Sequence, residues 1–121
     1  QPYFIYRADG EPVVFAGLWE RWRPRLADSE ERDESADSIE TFTILTGDPN
    51  KEMMAIHDRM PVILEQDDCG LWLDHTVQRT EELTGLFRPA AEEILQMTSV
   101  STYVNNAGHE GAVCVAPVAA G

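Results

Sequence analysis

His57, Asp58 and Arg59 stand in a row just ahead of Pro61 and the apolar run Val62-Ile63-Leu64. An imidazole can give or take a proton near neutral pH, and a guanidinium is a permanent cation with a planar fork of donors. A proton donor beside a fixed cation suits an anionic substrate. The plain alternative for His57 is a structural role, hydrogen-bonded to Asp58 or to a backbone carbonyl, because ion-pair corners are common. The other candidates are weaker. His75 and His109 form no i, i+4 pair and no HExxH pattern with His57, so no zinc site and no cofactor are expected. There is no Gly-rich phosphate loop and no GxSxG, and Ser99 and Ser101 have no recognisable nucleophile context. Glu20 could act as an acid, or could pair with Arg21 or Arg23 at a strand end. Arg21, Arg23 and Arg25 around Trp22 could bind phosphate and stack a base, or could be solvated cations around a Trp that caps the core.

The elements that must position His57 run from Thr46 to Leu64. Asp48 reads as a helix N-cap with Pro49 in the first helical position. Met53, Ile56 and His57 then share one helical face. Pro61 disfavours helical geometry at Met60, so the helix should end near His57 or Asp58, where free carbonyls favour a cation. Met60 to Leu64 is expected as a strand, as is Thr41 to Thr46, which alternates and is β-branched. Residues 3–7 and Pro12 to Trp19 read as a hairpin across Asp9-Gly10, its second strand buried on both faces, with Gly17 marking a bulge or a close approach by another backbone. Downstream, helices are expected from Glu65 to about Asp74, after Thr76 or Thr80, and from Pro89 to Gln96. Ser99 to Val104 and Val113 to Val115 read as extended, Asn105 to Gly108 as a turn, and Ala119 to Gly121 as a frayed end. Short strands mixed with short helices give an α+β fold, mainly antiparallel.

Composition bounds the rest. The chain has 121 residues, 43% of them hydrophobic, which is one domain or part of one. No apolar run reaches the length of a membrane span, and Gln1-Pro2-Tyr3-Phe4 lacks a signal-peptide pattern, so a cytoplasmic location is expected. Residue 1 reads as something other than a natural start. Cys69 and Cys114 are expected to be free thiols. The net charge of −13 argues against nonspecific DNA binding through the surface at large. Residues 27–40 carry seven acids and one Arg and read as a solvated acidic loop. The acid-rich, Lys-poor composition also fits a high-salt cytoplasm.

Several runs, in this order, carry a resemblance: Gln1-Pro2-Tyr3-Phe4-Ile5, Phe15-Ala16-Gly17-Leu18-Trp19-Glu20, Phe42-Thr43-Ile44-Leu45-Thr46 and Ile56-His57-Asp58-Arg59-Met60-Pro61-Val62-Ile63-Leu64. Val100 to Asn106 and Cys114 to Pro117 continue it. Together they resemble the SOS response-associated peptidase (SRAP) family of abasic-site processing proteins, in its C-terminal half only. The resemblance implies an SRAP-like fold and recognition of abasic sites in single-stranded DNA. It implies a thiazolidine crosslink through a Cys that follows the initiator Met, and autoproteolytic removal of that Met. It implies acid–base catalysis by His57, a phosphate contact from Arg59, and Thr46 lining the same site. The nucleophilic Cys, upstream DNA contacts and a Glu motif fall outside these residues. Cys69 and Cys114 do not match the nucleophile, and Glu20 does not match the Glu motif.

Two readings from different classes follow. The chain is part of an abasic-site crosslinker, a peptidase and lyase when intact and inactive by itself. Or it is a noncatalytic DNA- or protein-binding module that keeps the fold without the nucleophile. A hydrolase using His57 in another reaction is a third. In any of these a sheet cut midway leaves an unpaired edge, so the missing N-terminal half or a second copy is expected to complete it.

Overall fold

A computed structural model describes residues 1–27 and 29–118. The chain divides into two compact units, one made of residues 1–13 and the segment from 91 onward, the other of residues 14–90. Short antiparallel strand pairs with a few short helices make it an α+β protein, as expected.

In the first unit, β1 (Tyr3–Arg7) pairs antiparallel with β6 (Leu95–Ser99), Ile5 lying opposite Met97. Buried Val100 extends the pairing: its N–H donates to the Pro2 carbonyl, and it bridges to Pro117. The expected hairpin is absent. Its turn does form, with Gly10 at φ 79° and the Gly10 amide donating to the Arg7 carbonyl. The β1 ladder is occupied by five residues of β6 instead. For the same reason there is no helix from Pro89 to Gln96. Glu93 sits at φ 65°, outside the helical region, and Leu95 and Gln96 already belong to β6. Tertiary strand pairing has overridden the helix propensity of Ala90 and Ala91. Two expected extended segments are 3₁₀ turns, Thr102–Asn105 and Ala112–Val115. The second starts from Gly111 at φ 90°, a left-handed position suited to glycine, and the Cys114 amide closes back on the Gly111 carbonyl. Asn105 to Gly108 is a turn, the Asn106 side chain accepting from the Gly108 amide. The frayed end expected at Ala119 to Gly121 lies outside the described residues.

In the second unit, β2 (Gly17–Trp22) and β3 (Ile39–Ile44) form a two-stranded ribbon, Trp19 opposite Phe42. β4 (Thr46–Gly47) pairs with β5 (Met60–Pro61), joined by α1 (Lys51–Met54). Backbone bonds knit these pieces: Ala16 N–H to Val62, Leu45 N–H to Ala16, Val62 N–H to Leu45, and Leu64 N–H to Val14. At this junction lies the core, Ala16, Val62, Leu64 and Leu86. Trp72 of α2 (Gln66–Leu73) and Leu83 of α3 (Thr80–Leu83) pack on it. The Trp72 indole N–H donates to the Gly17 carbonyl at 3.3 Å. Along α2, Trp72 packs in while Leu71 and Leu73 are exposed.

The apolar run from Val13 to Trp19 is not buried on both faces. Ala16 is fully buried, whereas Val14, Phe15, Leu18 and Trp19 are exposed. The strand also runs further than expected, to Trp22, because it pairs with β3 along its whole length. Gly17 does mark a close approach: a Cβ there would lie 3.0 Å from the Thr43 carbonyl oxygen.

Candidate functional site

The His57 corner is built from the β4–α1–β5 excursion. Asn50, not Asp48, is the N-cap. Its side-chain oxygen accepts the Met53 amide at 3.0 Å, and its Nδ2 donates to the Ala90 carbonyl at 3.4 Å. Asn50 is 4% exposed, so its side-chain amide would be costly to leave unpaired; the Met53 bond is buried and the Ala90 bond half-buried. Buried Met53 anchors the helix from below, and its carbonyl accepts from both Ile56 and His57. The helix proper ends at Met54, one turn earlier than expected, and a last i→i−4 bond carries the chain to His57.

His57 is brought to the surface with one ring nitrogen anchored. The Arg59 backbone N–H donates to His57 Nδ1 at 3.0 Å. Asp58 Oδ1 lies equally close to the same nitrogen, at 3.0 Å. Nδ1 cannot serve both at once. A bare Nδ1 accepts the Arg59 amide; a protonated Nδ1 donates to Asp58 and forfeits that amide. The backbone amide would meet a bare Nδ1 and the carboxylate a protonated one, so Asp58 and the Arg59 amide compete for one nitrogen while Nε2 is left without a protein partner among the described residues. The ring is 63% exposed and the Asp58 carboxylate 91%.

β4–β5 pairing puts Thr46 opposite Pro61 and within reach of Arg59. Arg59 Nη2 donates to the Thr46 carbonyl at 2.6 Å and to its hydroxyl at 3.0 Å, and Nε reaches the hydroxyl at 3.3 Å. Nη1 makes no hydrogen bond among the described residues and remains able to meet an anion. His57, Arg59 and Thr46 therefore belong to one corner, linked through the Arg59 backbone.

Of the remaining candidates, Arg21 pairs with Glu40 across the ribbon, its Nε 2.9 Å from Oε1, and Arg25 meets Glu30 at 3.3 Å. Arg32 donates to the Arg23 carbonyl, while the Arg23 Nε is buried without a hydrogen-bond partner among the described residues. Glu20 lies opposite Thr41 on the ribbon. In the other unit, the His109 ring stacks on Tyr103 at 3.7 Å and its Nδ1–H donates to the Tyr103 carbonyl at 2.7 Å, a turn-stabilising role. Ser101 caps the Tyr103 amide. Cys69 and Cys114 are free thiols, and no cluster of three potential metal ligands occurs among the described residues. No described helix is long and apolar enough to cross a membrane.

Asn50 is the residue that sequence reasoning missed. Asp48 and Asn50 are equally good caps by type, and nothing local says which amide comes round to meet which side chain. The signal lies in burial, since Asn50 is buried where Asp48 is exposed, and Asn50 has a second partner forty residues away.

Comparison with known proteins places the chain. The sequence profile of "SOS response associated peptidase (SRAP)" matches residues 1–107. The abasic site processing protein HMCES of Pongo abelii is 33% identical over 98% of this chain and 38% of its own length. The abasic site processing protein YedK of Escherichia coli is 29% identical over 98% of this chain and 49% of its own length. A crystal structure of a Bacteroides thetaiotaomicron protein superposes with a TM-score of 0.78 at 25% identity, covering 98% of this chain and 48% of that one. The chain spans between about a third and a half of the length of the curated relatives it matches. With its profile match running from the first residue through the His57 corner to the Asn106 turn, the chain belongs to the SRAP family.

Proposed function

We propose that this chain supplies the proton-handling and phosphate-holding corner of an abasic-site processing protein acting on single-stranded DNA. The observation that carries the reading is the His57–Arg59–Thr46 arrangement. One ring nitrogen is held between a backbone amide and a carboxylate, the exposed ring leaves the other to a substrate, and a guanidinium is pinned alongside with one donor arm unused.

An abasic deoxyribose is mostly a closed hemiacetal. Opening it breaks the C1′–O4′ bond; the anomeric hydroxyl loses its proton, O4′ gains one, and an aldehyde results. His57 Nε2–H is the donor for O4′, and Arg59 Nη1 holds the neighbouring phosphate, so that the sugar meets the ring in one orientation. In the intact protein the N-terminal amine and thiol of a leading Cys would then add to C1′. Loss of one water leaves the thiazolidine, with no net oxidation. Exposure of that Cys would require prior removal of the leading Met.

Neither Cys of this chain can be that nucleophile. A thiazolidine needs a free α-amine on the same residue, and the nitrogens of Cys69 and Cys114 are peptide amides. Residues 1–121 alone are therefore a binding part and not a crosslinker. The test is to incubate the complete gene product with single-stranded DNA carrying one abasic site and to look for an adduct that survives denaturant. An adduct that forms more slowly in His57→Ala is the expected result. No adduct with the intact protein would remove the crosslinking role, and an unchanged rate in His57→Ala would remove His57 from it.

A further inference from the structure

His57 Nδ1 has two partners at one distance and room for one proton. The Arg59 backbone N–H and Asp58 Oδ1 each stand 3.0 Å from it. The two differ in stiffness. The amide is held from both sides, because the His57 N–H donates to the Met53 carbonyl and Met60 is paired with Gly47. The Asp58 carboxylate sits on a side chain in water. It is already within hydrogen-bond reach of Nδ1, so a change of partner moves a proton and asks little of the heavy atoms. The amide that loses its acceptor is exposed, and water takes the acceptor's place at small cost.

The two partners leave the far nitrogen, Nε2, in different states. With the amide on Nδ1, the neutral ring carries its proton on Nε2. That tautomer has no lone pair there to accept a proton, and giving up the proton would leave an imidazolate, which is out of reach near neutral pH. With Asp58 on Nδ1, the ring is either the imidazolium or the neutral Nδ1–H tautomer. The first gives a proton from Nε2; the second takes one back at the same atom, and the Nδ1 proton stays on its bond to the carboxylate throughout. A carboxylate on Nδ1 does the same for the imidazole of a catalytic triad. We infer that Asp58 is a positioning residue for His57, replacing the Arg59 amide at Nδ1 and so converting a resting ring into one that passes a proton at Nε2 and recovers it. The inference rests on the reaction proposed above: O4′ gains the proton that Nε2 loses, the anomeric hydroxyl gives one to the bare Nε2, and the ring ends as it began.

The test is heteronuclear NMR of the complete gene product with isotope-labelled histidine, at a pH where the ring is neutral. The His57 signals are identified by their loss in His57→Gln, and the Nδ1 and Nε2 shifts give the ratio of the two tautomers. Asp58→Asn removes the charge and keeps the shape, and at a side chain 91% exposed it leaves the fold intact. It should move the ratio about threefold toward Nε2–H, the size expected of an exposed charged pair. Salt at about 1 M should move the wild-type ratio the same way and the variant little. Adduct formation with abasic single-stranded DNA should slow by a similar factor in Asp58→Asn and recover in part in Asp58→Glu. An unchanged tautomer ratio in Asp58→Asn overturns the inference with no DNA in the tube. So does a shifted ratio with an unchanged adduct rate. A wild-type protein that forms no adduct strikes the crosslinking reading instead, and the ring spectrum alone then decides whether Asp58 holds Nδ1.

Discussion

Arg59 closes its guanidinium on both oxygens of Thr46, the backbone carbonyl at 2.6 Å and the hydroxyl at 3.0 Å. This clamp ties the residue after the His57-Asp58 pair to the opposite strand, and so fixes where the corner sits relative to β4. A lysine cannot reproduce it, since one ammonium lacks the planar fork. Arg59→Lys should cost about 1 kcal/mol of stability at this exposed position. In the complete protein Arg59→Gln, which removes the charge that a lysine would keep, should weaken binding to abasic single-stranded DNA and lower the slope of log affinity against log salt by about one phosphate contact. Fluorescence anisotropy across a salt series reads both. An unchanged slope would mean that Nη1 meets no phosphate.

Asn50 should matter more than its distance from the chemistry implies. Asn50→Ala removes the buried cap on Met53 and takes the Asn50 donor from the half-buried Ala90 carbonyl. Cap loss alone is worth about 1 kcal/mol, and the orphaned carbonyl adds a similar amount. Asn50→Ser keeps a capping oxygen and loses the amide donor to Ala90 without burying a charge. Urea denaturation should therefore rank wild type above Asn50→Ser above Asn50→Ala. Equal midpoints for wild type and Asn50→Ser would show that the Ala90 bond contributes nothing.

Acid should weaken the turn after β1 in a defined window. The Asp9 carboxyl is held at about 2, below its ordinary 3.8, first by the Arg7 side chain and then by the Glu11 amide. The folded value lies below the unfolded one. The contribution is therefore fully present above the unfolded value and is lost as pH falls toward 2. An NMR titration of the Asp9 side-chain carboxyl carbon should place its midpoint well below 3.8, and Arg7→Gln should bring it back up. A midpoint at the ordinary value would mean that the ion pair does not persist in solution.

The sequence made the α+β class legible, along with Tyr3–Arg7, the strand before Thr46 and the His57 corner, because those segments carry their own periodicity or capping residues. Partnership was not legible. Nothing within residues 3–19 says that β1 prefers Leu95–Ser99 over the strand that follows it. The same missing information makes Pro89–Gln96 read as a helix, since alanine propensity is local and the β1 ladder is not. Val13 to Trp19 looks buried because it is apolar. In this structure only Ala16 of that run is fully buried, while Val14, Phe15, Leu18 and Trp19 face water. At the site, residue types pointed to His57 and Arg59, but the Nδ1 anchor and the Thr46 clamp depend on a strand register that only the fold supplies.

Gly17 tests the ribbon's attachment to the core. A Cβ there would stand 3.0 Å from the Thr43 carbonyl oxygen, which belongs to the paired backbone of β3 and cannot swing aside as a flexible side chain would. The Gly17 carbonyl is also the acceptor of the Trp72 indole, so a shift of this residue disturbs the contact that seats α2. Gly17→Ala should then cost about 1–3 kcal/mol, the usual range for forcing extra volume into a packed site. A methyl group at Gly85 would meet nothing within 4 Å, and the backbone there is not left-handed, so Gly85→Ala is the control and should be close to neutral. Thermal unfolding of the two variants decides the matter. A Gly17→Ala protein as stable as Gly85→Ala would mean that β2 and β3 can part at this point without loss, and the ribbon would then be a hinged arm instead of the continuation of the core.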